Sequence, residues 1–338
     1  AEDIVLSLIQ NIRERLPNSS FPVLQPPIGV GSAFEGWHPH AMDSIYCFLV
    51  PLKPPYGHEF HLEPSTTGEM PARNFRICVD LVCTCLTEQW VEEMRCSIHP
   101  SEEESREEET HSHIQTLCSG SYLDVEKTAR WLNQNVEAVW RAVPQLFLYR
   151  LRVLRSSRSC RFQVIKDSEK TLQIEMIFGV QEGDSDIFVS SQATEAPFTP
   201  STTWTESSAV AEVKFFRQMA RQVPPSSFHL RSLQVCTGLL VGQRLSVYAF
   251  KTVVMHLLTT TRFSSQHHPL KQQLMIVQYL EGCLKEKRLN HFFFGNENVP
   301  QEIVLPPHFR TAEPLNLFQL LAQNWYVYAE ARCEVVRL

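Results

Sequence analysis

The hydrophobic period of this chain changes once, near Glu206, and that change restricts it to a mixed lobe followed by a helical one. Upstream of Glu206, short β-branched runs alternate with proline and glycine punctuation. Ser44–Leu52 (SIYCFLVPL), Arg76–Leu86 (RICVDLVCTCL), Leu146–Leu154, Cys160–Lys166 and Thr171–Val180 (TLQIEMIFGV) are predicted strands. Two helices interrupt them. Ala1–Leu16 aligns Ile4, Val5, Leu8, Ile9, Ile12 and Leu16 in one stripe, and a second helix opens after Asp124, placed as its N-cap. Downstream of Glu206 the spacing predicts helices near Ser207–Gln222, Leu230–Leu240, Ser246–Thr260, Pro269–Lys287 and Pro314–Gln323. Ser190–Thr203, rich in Ser, Thr and Pro, is the expected hinge, which divides the chain into lobes at 1–203 and 204–338. The fold class is therefore α+β, without internal repeats.

Composition removes several function classes. The 338 residues are 43% hydrophobic, enough for a substantial core and too many for a disordered chain. With 31 basic against 37 acidic residues, net charge -6, no general nucleic-acid binding is expected. No apolar run reaches the roughly 18 residues that a bilayer span needs. The chain opens on Ala1 without a leader pattern, so a membrane tether, if there is one, is expected to precede it. The 10 cysteines are irregularly spaced and several lie in apolar runs, which favours free thiols in a reducing compartment. Ser101–His113 (SEEESREEETHSH) reads as a solvated acidic loop.

Chemistry concentrates in Gly29–Pro51, GVGSAFEGWHPHAMDSIYCFLVP. A Gly-Ser turn followed by an acidic residue at the head of an apolar strand is the layout of a nucleotidyltransferase site. There two divalent cations, held by carboxylates, clamp a triphosphate, and backbone amides cradle the phosphates. The plainer alternative is a turn followed by a strand that Asp43 caps.

More of the chain agrees with the first reading. GVGSAFEGW, then SYLDVEKTARWLNQNVEAVW, LSVYAFKTVVMHLL, LKEKRLNHFFFGNENVP and AEPLNLF occur in an order that resembles the Mab-21 family, and within it the inositol 1,4,5-trisphosphate receptor-interacting branch with its like-1 and like-2 relatives. The resemblance implies a bilobal nucleotidyltransferase fold, like the cyclic GMP-AMP synthase relatives. It places Gly31 and Ser32 at the phosphate cradle, Asp43 at the second strand carboxylate and Glu175 at the third. Lys251 falls where active relatives keep a helical lysine on the nucleotide phosphates. The first carboxylate position holds Ala41, so one metal ligand of the set is a methyl group. Glu35 and Glu59 lie nearby in sequence, but Glu35 falls in the turn rather than on the strand face.

These departures predict a catalytically silent binding module without cofactor. The alternatives are a Mg2+- or Mn2+-dependent transferase using Asp43 and Glu175, or a nucleotide-binding module without turnover. The resemblance further implies a cytosolic globular domain of a single-pass membrane protein and a protein partner, the inositol trisphosphate receptor or another membrane receptor. Two further features are weighed. Cys83, Cys85, Cys96 and His99 have the ligand types for zinc, although strand alternation puts Cys83 and Cys85 on one face, as in an ordinary core. The zinc loop of the cyclic GMP-AMP synthase relatives has no counterpart here. Between Ala138 and Lys166 there is no carboxylate, whereas Arg150, Arg152, Arg155 and Arg158 recur, marking a basic docking surface or a charged edge strand.

Overall fold

A computed structural model describes residues 1–16, 20–38, 45–65, 73–83, 113–166, 170–192, 199–222, 229–238, 245–260 and 269–336. The chain forms two compact units. The first comprises Ala1–Gly29, Ile45–Glu182 and Phe188–Ser207, and the second Val30–Ser44, Gly183–Ile187 and Ser208–Leu338. Each unit thus draws on segments from both sides of the expected cut at 203/204. Among the described residues no helix is long and apolar enough to cross a membrane.

The first unit is a curled sheet with helices. Its elements are α1 (Glu2–Arg15), β1 (Val23–Leu24), the start of β2 (Ile28–Val30), β3 (Ile45–Lys53), β4 (His58–Pro64), β5 (Asn74–Leu81), β6 (Cys118–Ser119) and β7 (Tyr122–Leu123). A long helix separates these from β8 (Arg150–Leu154), β9 (Cys160–Lys166), β10 (Lys170–Gln181), β11 (Phe188–Ser190) and β12 (Trp204–Ser207). The sheet runs β1-β3-β10-β11-β12-β5-β7-β6, with β4 on β5 and the β8–β9 hairpin on β10. β10 is long enough to serve two neighbours on one edge: residues 170–176 pair with β9 and 179–181 with β11. Its other edge runs parallel to β3, with Gln173 beside Ile45 and Glu175 beside Cys47. β3 buries Phe48, Leu49, Val50 and Leu52, which is why this stretch reads as a continuous apolar run rather than an alternation. Gly179 sits where β10 passes from one neighbour to the other; a Cβ there would meet Leu49 at 3.2 Å.

Ser190–Thr203, expected as a hinge, instead joins β11 to β12, which pair antiparallel in the same sheet. The end of this connection is tied down by Asp124. Its Oδ1 accepts from the amides of Glu126 and Lys127 at the start of the separating helix, α3 (Val125–Trp140), and its Oδ2 from the hydroxyls of Ser119 and Ser201. Burial alone would raise this carboxyl, but the four donors outweigh it and hold its pKa below the ordinary value. Replacing an ordinary N-cap by alanine costs about 1 kcal/mol. Asp124→Ala also strands two seryl hydroxyls, so we expect about 2–3 kcal/mol in urea unfolding. Asp124→Asn, which keeps an oxygen for the helix amides, should cost less than half of that.

The second unit is helical: α2 (Ser32–Glu35), α4 (Ala209–Gln222), α5 (His229–Gly238), α6 (Val247–Thr260), α7 (Pro269–Lys285), α8 (Pro307–Thr311), α9 (Gln319–Gln323) and α10 (Trp325–Val336). α6 is its axis. Ala249 through Met255 are all buried, Lys251 and Thr252 among them, so the helix is enclosed all round rather than amphipathic. The HFFFGNENVP stretch is a core plug. Phe292, Phe293 and Phe294 are buried, and Gly295 takes a left-handed φ of +58°. A Cβ on Gly295 would lie 2.4 Å from the carbonyl oxygen of Ala312, so only glycine fits.

Candidate functional site

Gly31 turns the chain with φ +79° and caps the short α2, in the backbone region where glycine carries no penalty. Ser32 follows, its Oγ 2.9 Å from His38 Nδ1. Three residues on, α2 turns Glu35 inward until it is 4% exposed. Glu35 meets Lys251 from α6 and Glu212 from α4, both 6% exposed. The geometry is fully satisfied on the acid side. Lys251 Nζ donates to Glu35 Oε1 at 2.5 Å and to Glu212 Oε2. Trp37 Nε1 donates to Glu35 Oε2 at 2.6 Å, and Ser208 Oγ to Glu212 Oε1 at 2.5 Å.

Charges this deep are retained only when paired. Burial alone would depress the Lys251 ammonium, but the carboxylates of Glu212 and Glu35 outweigh it and its pKa lies above the ordinary lysine value. The two acids part company. Desolvation raises Glu35 despite the ammonium beside it, whereas Glu212, with Lys251 and Ser208 on its oxygens, is held low against its own burial. One cation thus faces one firm carboxylate and one that accepts a proton more readily.

A second polar pair sits in the same unit. Tyr248, also on α6, is hydrogen-bonded through its hydroxyl to His291 Nε2 at 2.7 Å, and His291 Nδ1 accepts from the amide of Phe293 at 3.2 Å. An Nδ1 that accepts places the ring proton of a neutral imidazole on Nε2, aimed at the tyrosyl oxygen. Burial pushes His291 down to about 4, only partly offset by Glu212.

The expected metal site is less complete. Asp43 and Ala41 lie outside the described residues, as do Cys85, Cys96 and His99 of the zinc set; Cys83 is exposed. Glu175 stands on β10 in the position the parallel register gives it, but its Oε1 takes the hydroxyl of Ser159 at 2.7 Å and the Arg161 guanidinium at 3.3 Å. Glu175 is thus already paired with an arginine, and the sequence has a methyl group at position 41.

The arginines also divide. Arg158, expected on the docking surface, instead closes three backbone carbonyls, those of Ser191, Pro200 and Thr203. Arg150, Arg152 and Arg155 are exposed. Sequence reasoning weighed Glu35 only as a metal ligand and missed Glu212. The signal for Glu212 was present: it is the one charge on a face shared with Val213, Phe215 and Phe216, all buried.

No model of a known protein family matches the chain. Among curated proteins it is similar to inositol 1,4,5-trisphosphate receptor-interacting protein-like 1 of Rattus norvegicus, 32% identical over 98% of this chain and 62% of the relative. It is also similar to inositol 1,4,5-trisphosphate receptor-interacting protein of Mus musculus, 29% identical over 94% of this chain and 62% of the relative. The Takifugu rubripes protein of that name is 28% identical over 90% and 60%. The chain therefore spans about three fifths of the length of the curated relatives it matches.

Proposed function

The chain belongs with the inositol 1,4,5-trisphosphate receptor-interacting protein family, and from that premise we propose that it is a catalytically silent nucleotidyltransferase-type module that works by binding a protein partner. The partner class is the receptor its relatives are named for, or another membrane receptor, and membrane attachment would come from a tether outside this chain. The observation that carries the proposal is Lys251. A lysine that is to grip a phosphate must present a free ammonium, and this one is buried between Glu35 and Glu212. Displacing two carboxylates from a dry site would cost several kcal/mol before any phosphate contact formed. Ala41 points the same way, since hard cations need oxygen donors.

One observation favours the opposing reading, a metal-dependent nucleotidyltransferase with Asp43 and Glu175 as carboxylates and Ser32 and Lys251 on the phosphates. β3 and β10 are parallel neighbours, and Glu175 beside Cys47 shares a sheet face with alternate β3 positions. Thermal shift with ATP or GTP and Mg2+ or Mn2+ separates the readings. A bound nucleotide at a hundredfold excess over its Kd stabilises by about 2.7 kcal/mol. We expect no shift and no product. A metal-dependent shift that Asp43→Ala abolishes, together with joined or cyclised nucleotide, would replace the binding module by an enzyme. A shift without product would make it a nucleotide-binding module.

A further inference from the structure

We propose that the turn and edge strand at Phe147–Arg155 form a docking surface for an anionic lipid bilayer. β8 is held to the sheet by β9 alone among the described residues, so its other edge is open. The turn that leads into it presents Phe147, 63% exposed, next to Leu148, 76% exposed. Two large apolar side chains adjacent at the tip of a turn are unusual on a surface meant only for water. Arg150 and Arg152 follow along β8 and Arg155 just past its end, all exposed. Among the described residues none of the three has an ion-pair partner, and the sequence supplies no carboxylate between Glu137 and Asp167.

The tip is held in place rather than loose. Leu146 is buried, the amides of Phe147 and Tyr149 donate to the carbonyls of Pro144 and Leu146, and Trp140 Nε1 on α3 donates to the carbonyl of Tyr149 at 3.3 Å. Lys166 lies over the Tyr149 ring at 5.9 Å and adds a fourth cation to the rim. Apolar side chains at a fixed tip with arginines behind them match the two layers of a leaflet, acyl chains below and phosphates above. The other occupant an open edge can take is an acidic peptide added as a strand. It would use the backbone and arginines of β8 but leave Phe147 and Leu148, which precede the strand, in water. The bilayer covers both features and the peptide only one. This surface lies in the first unit and does not depend on whether Lys251 ever meets a nucleotide.

Vesicle co-sedimentation of the 338-residue chain tests it. The unmodified protein should pellet with phosphatidylserine-containing vesicles, pellet less as salt rises, and stay in solution with pure phosphatidylcholine. Each arginine near an anionic surface is worth about fivefold, so Arg150→Ser, Arg152→Ser and Arg155→Ser together should weaken partitioning about 100-fold. Phe147→Ser with Leu148→Ser should weaken it at least about tenfold with an unchanged thermal midpoint, because both side chains are exposed. A fluorophore on Leu148→Cys should shift to the blue on anionic vesicles, a readout that needs insertion rather than adsorption. The proposal is overturned if the unmodified chain ignores anionic vesicles. It is equally overturned if the Phe147, Leu148 variant binds them as well as wild type while polyglutamate competes, which would assign the edge to acidic peptides.

Discussion

Lys251→Met will destabilise the second unit by about 3–5 kcal/mol, a drop of about 10 °C in its melting temperature, because it leaves Glu35 and Glu212 buried without their cation. Methionine fills the stem volume, so what is lost is charge compensation rather than packing. The loss should itself depend on pH. Without the ammonium, burial raises Glu35 further and is no longer opposed at Glu212, and the native state then binds protons that the unfolded chain releases. Stability of the variant is therefore greatest in acid and falls as pH rises through those raised values. At pH 5 it should approach wild type, and at pH 8 it should be at its worst, by differential scanning calorimetry. Adding Glu35→Gln and Glu212→Gln to Lys251→Met should recover much of the deficit, since a buried ion cluster replaced as a whole is often near neutral. A single variant that melts within a degree of wild type at pH 8 would show the cluster to be wet, and Lys251 would then be available to a phosphate after all.

Why that cluster escaped the sequence while its lysine did not is a matter of range. Lys251 stands out locally, an ammonium in the middle of YAFKTVVMHLL, and the flanking apolar residues already say that it is enclosed. Its partners are 216 and 39 positions away, on α2 and α4, and no local pattern joins those three segments. The same limit governs Arg158. Composition groups it with Arg150, Arg152 and Arg155, but a guanidinium in water and one closing three carbonyls have the same letter. Elements with local signals were legible: the stripe of α1, the Asp124 cap of α3, the apolar run of β3 and the enclosed α6. Those defined by pairing were not. β4 reads HEFHLEP, polar and half-exposed along its length, and is a strand because β5 lies beside it. Ser190–Thr203 has the composition of a linker, yet Ser190 and Thr205 are register partners across β11 and β12.

The two units should respond to pH in opposite directions. In the second, His291 is held at about 4 against an ordinary 6.5, so the unfolded chain takes up the proton first. Its contribution to stability is complete above pH 6.5 and is lost as pH falls toward 4. His256, depressed by burial, adds to this; Glu35 and Glu212, shifted oppositely, oppose one another. In the first unit, burial carries Glu206 from 4.5 up to about 7 in spite of Arg73 at 3.3 Å, and Glu182 is raised in the same sense. A carboxyl that prefers its proton in the native state stabilises fully below pH 4.5 and loses that contribution as pH rises through 7. Partly buried His58, shifted down, opposes it only weakly. Each of the two dominant groups spans about 3 kcal/mol at 1.36 kcal/mol per pH unit. Hydrogen exchange corrected for intrinsic rates should show β10 and β12 better protected at pH 5 than at pH 7.5, and α6 and α7 the reverse. Glu206→Gln should flatten the first trend and raise stability at pH 8 by about 2 kcal/mol, since an uncharged amide avoids the cost of burying the carboxylate. His291→Gln should flatten the second. Protection that rises and falls together in both units would mean that they unfold as one, and the two titrations would then cancel near neutrality instead of separating.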